Sequence, residues 1–115
     1  MAVNSSSGKR AVGIYTTPST TARNIDTNIN LTGTDSIGML LSGNATTGST
    51  VNYGGTLDIS ATSSNKYGIG AMVQENSVFN LTFTGKVKIG GANNIGFYVY
   101  CRSGYVEADS ARSCY

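Results

Sequence analysis

The chain has 115 residues, a formal net charge of +2, 12% charged residues, one proline and neither tryptophan nor histidine, a length that allows one domain. Without histidine there is no histidine general base, no Ser-His-Asp triad and no His-ligated zinc; eight basic against six acidic residues leave no electrostatic footprint for nucleic acid. Glycine, serine, threonine and asparagine number 15, 14, 14 and 11, a small-residue composition that suits a repeat-built β protein better than a strongly charged disordered chain.

Residues 1–30 carry no basic segment followed by an apolar core, so no secretory signal is expected there, and Ala2, Val3 and Asn4 resemble the rest of the chain in character. Val12-Gly13-Ile14 is the first of four apolar-Gly-apolar triplets. The others are Ile37-Gly38-Met39, Tyr67-Gly68-Ile69 and Ile95-Gly96-Phe97, with glycines 25, 30 and 28 residues apart. Asp35, Asn65 and Asn93, all turn formers, stand three residues before the last three glycines, where the first triplet has Arg10.

A second ladder lies between these triplets. Val51, Tyr53, Gly55, Leu57 and Ile59 match Leu81, Phe83, Gly85, Val87 and Ile89 at an offset of 30, and Ile25, Thr27, Ile29 and Leu31 join at an offset of 28. Each segment alternates apolar and polar residues, the period of a half-buried strand. No segment has helical periodicity. Loops are expected where small polar residues cluster, at Ser42 to Thr50 and Ala61 to Asn65. The longest apolar run, Ile95 to Cys101, is far too short for a membrane-spanning helix.

A repeat of 25–30 residues carrying two or three short strands predicts an all-β, right-handed parallel β-helix of about four coils over residues 1–100. An antiparallel sandwich also has short strands but does not require a constant offset. The expected inward ranks are Ile25/Tyr53/Phe83, Ile29/Leu57/Val87 and Leu31/Ile59/Ile89 on one side. On the other they are Val12/Ile37/Tyr67/Ile95 and Ile14/Met39/Ile69/Phe97. Outward, Asn30, Asp58 and Lys88 are expected to stack on one face, and Tyr15, Leu40, Gly70 and Tyr98 to form a mixed rank.

The stretches "TGTDSIGML", "NKYGIGAMV" and "GANNIGFYVY", with "GGTLDISAT" and "TGKVKIGG" between them, resemble the β-helical passenger domains of type V autotransporters, most nearly the large adhesins. The resemblance covers about residues 1–100. It implies export through a C-terminal membrane barrel, display on the Gram-negative cell surface, and a chain that is an internal fragment lacking that barrel. The coil motifs carry none of the family's binding residues, so none is transferred.

Residues 101–115 break the pattern. They hold Cys101 and Cys114 together with Arg102, Glu107, Asp109 and Arg112. Two readings stand: a cap closed by a Cys101–Cys114 disulfide, which would stabilise by roughly 3 kcal/mol, or translation of a wrong frame. The second is favoured, because the tail has little apolar surface with which to cover a strand.

The carboxylates are Asp26, Asp35, Asp58, Glu75, Glu107 and Asp109. Asp58, Lys86 and Lys88 form the single candidate cluster for carbohydrate chemistry, although a solvated outer rank with a weak salt pair explains them more simply. Asp35 is expected to form a turn rather than to bind metal. Gly90-Gly91 lacks the aspartate that completes a calcium-binding nonapeptide. Sequons at Asn4, Asn30, Asn44 and Asn80 are about as many as chance supplies. Thr32-Gly33-Thr34 and Thr82-Phe83-Thr84 resemble the spaced threonines of ice-binding solenoids without forming a clean rank. No catalytic residue, metal or cofactor is therefore assigned. The expected role is structural and adhesive, with a surface protein or glycan as partner and self-association of the isolated fragment through open strand edges. The alternatives are a fragment of a β-helical carbohydrate-active enzyme and a small secreted ice-binding solenoid.

Overall fold

The computed structural model describes residues 2–3, 11–31, 35–59, 68–90, 94–100, 104–106 and 110–113. All regular structure among them is β. In chain order the first strands are β1 (Ala2–Val3), β2 (Val12–Thr16), β3 (Arg23–Ile25) and β4 (Ile29–Leu31). β5 (Ile37–Leu41), β6 (Thr50–Tyr53), β7 (Thr56–Ile59), β8 (Ile69–Gln74), β9 (Val78–Leu81) and β10 (Lys86–Ile89) come next. The last are β11 (Ile95–Tyr100), β12 (Gly104–Val106) and β13 (Ser110–Ser113).

From β1 to β11 every third strand returns to the same sheet. Sheet A has the order β1-β4-β7-β10, sheet B β2-β5-β8-β11, and sheet C β3-β6-β9-β13-β12. Pairing is parallel throughout A and B and from β3 to β9 in C. This is a parallel all-β architecture consistent with a β-helix-like solenoid. The apolar members of the alternating pattern from all three sheets meet in one core, in which Leu31, Leu57, Met39, Val73, Tyr53 and Phe79 are fully buried. The Phe79 ring lies between those of Tyr53 and Phe97, with centroids 5.7 and 5.4 Å away, separations at which tilted aromatic pairs attract.

Corners form at small polar residues. Asn44 Oδ1 accepts from the backbone N–H groups of Thr46 and Thr47 at 2.9 and 2.8 Å, an Asx-type turn. Asp35 and Asn76 adopt φ of 57° and 58°, the left-handed region that Asn and Asp tolerate best, so Asp35 is the turn former it was expected to be.

Two register assignments change. In sheet A both expected offsets hold: 30 with Leu57 opposite Val87 and Ile59 opposite Ile89, and 28 with Ile29 opposite Leu57. In sheet C the offset is 28: Val51 faces Phe79, and Tyr53 faces Leu81 rather than Phe83. The two extra residues sit in the turn after Leu81, closed by a 2.9 Å bond from Gly85 N to Thr82 O. Phe83 occupies that turn and is fully exposed, at 104%. In sheet B, Ile37 faces Ile69 and Ile69 faces Ile95, so the third triplet is Ile69-Gly70-Ala71. Ile69 therefore replaces Tyr67 in the rank Val12/Ile37/Ile69/Ile95, and Ala71 replaces Ile69 in Ile14/Met39/Ala71/Phe97. Gly70 is required by close approach: a Cβ there would meet the Gly96 carbonyl oxygen at 2.6 Å and Leu57 Cδ2 at 2.9 Å.

Past Leu81 the parallel pattern gives way on sheet C. β13 runs antiparallel beside β9, with Ser110 opposite Asn80 and Arg112 opposite Val78, and β12 pairs antiparallel with β13. Cys101 and Cys114, and with them the expected disulfide, lie outside the described residues, as do Asn65, Tyr67, Asn93, Glu107, Asp109 and the loop at Ala61 to Asn65.

Candidate binding surface

Among the described residues, three outward ranks and one turn hold the side chains that could meet a ligand. On sheet A, Asn30, Asp58 and Lys88 are adjacent in register, as expected from the repeat. Lys86 lies two residues before Lys88 on β10, on the same face. Both lysines are exposed and Asp58 is half-buried. The fold thus brings the candidate triad to one face of sheet A.

On sheet C the outward rank is an asparagine ladder. Asn52 Nδ2 donates to Asn24 Oδ1 at 3.0 Å, and Asn80 Nδ2 donates to Asn52 Oδ1 at 3.1 Å. Two bonds link the three amides, so the Asn80 sequon is engaged in the ladder and the Asn44 sequon in its turn.

On sheet B the outward rank is Tyr15, Leu40, Met72 and Tyr98. Met72 stands where Gly70 was expected, which makes the rank apolar from end to end. Tyr15 is 59% and Tyr98 37% exposed. With strands about 4.8 Å apart the stripe is roughly 14 Å long. It presents two aromatic rings and two flexible apolar side chains to solvent, a surface that suits contact with a partner.

Asp26 approaches a hollow over Gly54. A Cβ at Gly54 would press on Asp26 Oδ1 and stand 3.0 Å from both Thr82 Oγ1 and Thr84 Oγ1. One carboxylate and two hydroxyls fall well short of the six to eight oxygens that calcium takes, and no group of three or more metal-ligating side chains occurs among the described residues. Thr82 and Thr84 belong to the turn that carries Phe83 rather than to a flat sheet face, and Thr32 to Thr34 lie outside the described residues.

Sequence alone does not disclose the exposure of Phe83 or the place of Met72 in the stripe. Leu81 and Phe83 share one parity, as do Gly68 and Gly70, and a period of two cannot choose between them. The signal that separates them is the pair of glycines at 54 and 55 against the four-residue turn at 82–85.

No family model, curated protein or solved structure matches the chain.

Proposed function

We propose that the chain is a structural segment of an adhesive, surface-displayed passenger domain: a right-handed parallel β-helix of about four coils, exported by a type V route and held at a Gram-negative cell surface. One observation carries this reading. Equivalent strands return to the same three sheets every 25 to 32 residues, in parallel and in register. Such stacking builds a stiff rod whose outer ranks can vary without disturbing the core. Its role is that of a spacer, and the Tyr15–Leu40–Met72–Tyr98 stripe is its adhesive surface toward a protein or glycan. Coil motifs such as "TGTDSIGML" and "GANNIGFYVY" support the family. The role is not catalytic: Asp58, Lys86 and Lys88 are a solvated outer rank.

The test is to read the encoding DNA past both ends and to probe intact cells with antibody against the chain. Further coil repeats leading to a C-terminal membrane barrel, with antibody labelling of unpermeabilised cells, are expected. A stop directly after Tyr115, with the protein retained inside the cell, would overturn the reading. Cleavage of an oligosaccharide that Asp58→Asn abolishes would move it to the carbohydrate-active class.

A further inference from the structure

The outer face of sheet B pairs two ranks of opposite chemistry. The first is the stripe of Tyr15, Leu40, Met72 and Tyr98, one side chain per strand. The second lies two residues further along. Thr16, Leu41 and Val73 are partners in register and buried, so the residues after them, Thr17, Ser42 and Gln74, return to the outer face. Ser42 N donates to Thr16 O at 3.0 Å, which carries the parallel ladder into this rank. Thr17 is exposed, and Ser42 and Gln74 are half-buried. An aromatic and apolar row thus runs beside a row of two hydroxyls and an amide, about 6.6 Å away.

Charge sets this face apart from the other two. The four strands of sheet B contain no charged residue, whereas sheet A presents Asp58, Lys86 and Lys88 and the strands of sheet C include Arg23 and Arg112. Among the described residues the charges nearest in sequence are Asp35, two residues before β5, and Glu75, one residue after β8. The complementary partner is therefore neutral. Spacing is equally restrictive. Successive strands are about 4.8 Å apart, close to the length of one sugar residue in an extended, equatorially linked glycan. Such a chain laid along the stack meets a new apolar side chain at every residue. A protein strand laid the same way advances about 3.3 Å per residue and turns only every second side chain to the face, which matches neither rank.

We propose that the outer face of sheet B binds a neutral, extended, equatorially linked glycan whose chain runs along the stack with one sugar residue over each strand. The proposal rests on the reading of the stripe as the adhesive surface and narrows its partner to one class. The C–H faces of the sugar rings pack on Tyr15 and Tyr98 and on the adaptable Leu40 and Met72 between them, while hydroxyls along one edge of the chain reach Thr17, Ser42 and Gln74. Further coils would lengthen both ranks without altering either.

The test is a ligand-observed NMR titration of the 115-residue chain with cellobiose, cellotetraose and cellohexaose, and with chitotetraose, the curved maltotetraose and the anionic tetragalacturonate. Cellotetraose or chitotetraose is expected to bind more tightly than the last two. In the series to which it belongs, affinity is expected to rise from the disaccharide to the tetrasaccharide and then level off, because four strands carry the stripe. This reading needs no substitution. Tyr15→Ala, and separately Thr17→Val with Ser42→Ala, are expected to weaken binding severalfold with an unchanged β circular-dichroism spectrum, whereas Lys86→Ala with Lys88→Ala on sheet A leaves it unchanged. No binding of either neutral tetrasaccharide at millimolar concentration, preference for tetragalacturonate, no gain from disaccharide to tetrasaccharide, or indifference to the substitutions on sheet B would each overturn the proposal. Adhesion of the chain to an enzymatically deglycosylated protein surface tells the two readings apart. Adhesion lost in Tyr15→Ala, without glycan binding, overturns the glycan and leaves the stripe adhesive; adhesion that Tyr15→Ala leaves intact overturns both. Antibody labelling of intact cells reads surface display independently of either result.

Discussion

Tyr53 and Leu81 face each other across β6 and β9 at an offset of 28, while Leu57 and Val87, a few residues further along the same two segments, face each other at 30. The chain absorbs the difference in the turn at 82–85, so that Phe79 rather than Phe83 contributes the aromatic ring to the core. Phe79→Ala is expected to cost about 3–5 kcal/mol, the usual range for a buried Phe. Phe83→Ala, at a fully exposed position, should change stability by no more than about 0.5 kcal/mol. Urea midpoints of the two variants check the assignment, and the reverse order would restore the offset of 30 throughout.

That slip marks the boundary of what the sequence discloses. Sheet A was legible because Leu57, Ile59, Val87 and Ile89 are unambiguous apolar positions flanked by charges at Asp58 and Lys88. Sheet C was not, because Leu81 and Phe83 are both apolar and both of the correct parity. A shift of two preserves every inside-outside relation along a strand, so only the backbone ladder decides it. The same degeneracy hid the apolar stripe: with Gly68 in register the stripe is interrupted at Gly70, and with Ile69 opposite Ile37 it runs unbroken through Met72. The candidate cluster at Asp58 and Lys88 needed no such choice and was legible from spacing alone.

Thr16 stands in the rank of Leu41, Val73 and Val99. It is 5% exposed, and its Oγ1 is buried without a hydrogen-bond partner among the described residues. An unpaired buried hydroxyl is destabilising, and an isosteric methyl removes the penalty. Thr16→Val is expected to raise stability by about 1 kcal/mol. A lowered urea midpoint would mean that the hydroxyl finds a partner in solution.

The Tyr53 hydroxyl donates to Thr27 O at 2.7 Å, and burial of the phenol pushes its pKa up from 10.0 to about 12. With the folded value above the unfolded one, the folded state holds the proton more tightly. The contribution is complete below pH 10 and is lost as pH rises towards 12. Tyr53→Phe removes that component, so the stability gap between the parent and the variant should narrow over this interval. At neutral pH the variant is expected to lose about 1 kcal/mol for the missing bond. A gap that stays constant up to pH 12 would contradict the burial of this phenol.

Asn52 sits in the middle of its ladder, donating to Asn24 and accepting from Asn80. Asn52→Ala breaks two bonds where Asn24→Ala breaks one. The central substitution is therefore expected to cost about twice as much, roughly 1–2 kcal/mol against half that, given the modest net worth of each bond. Equal losses in chemical denaturation would show that the amides do not act as a chain.

The return of every third strand to its own sheet also fixes how the molecule answers force. Because the ladders run along the stack, tension applied between its two ends loads hydrogen bonds one repeat at a time instead of shearing many together. Val51 and Phe79 lie 28 residues apart on adjacent strands, and a released segment of that length extends by about 90–100 Å at the reach of an extended chain. A strand stack built this way lengthens in discrete steps, each dissipating work before the next repeat is strained.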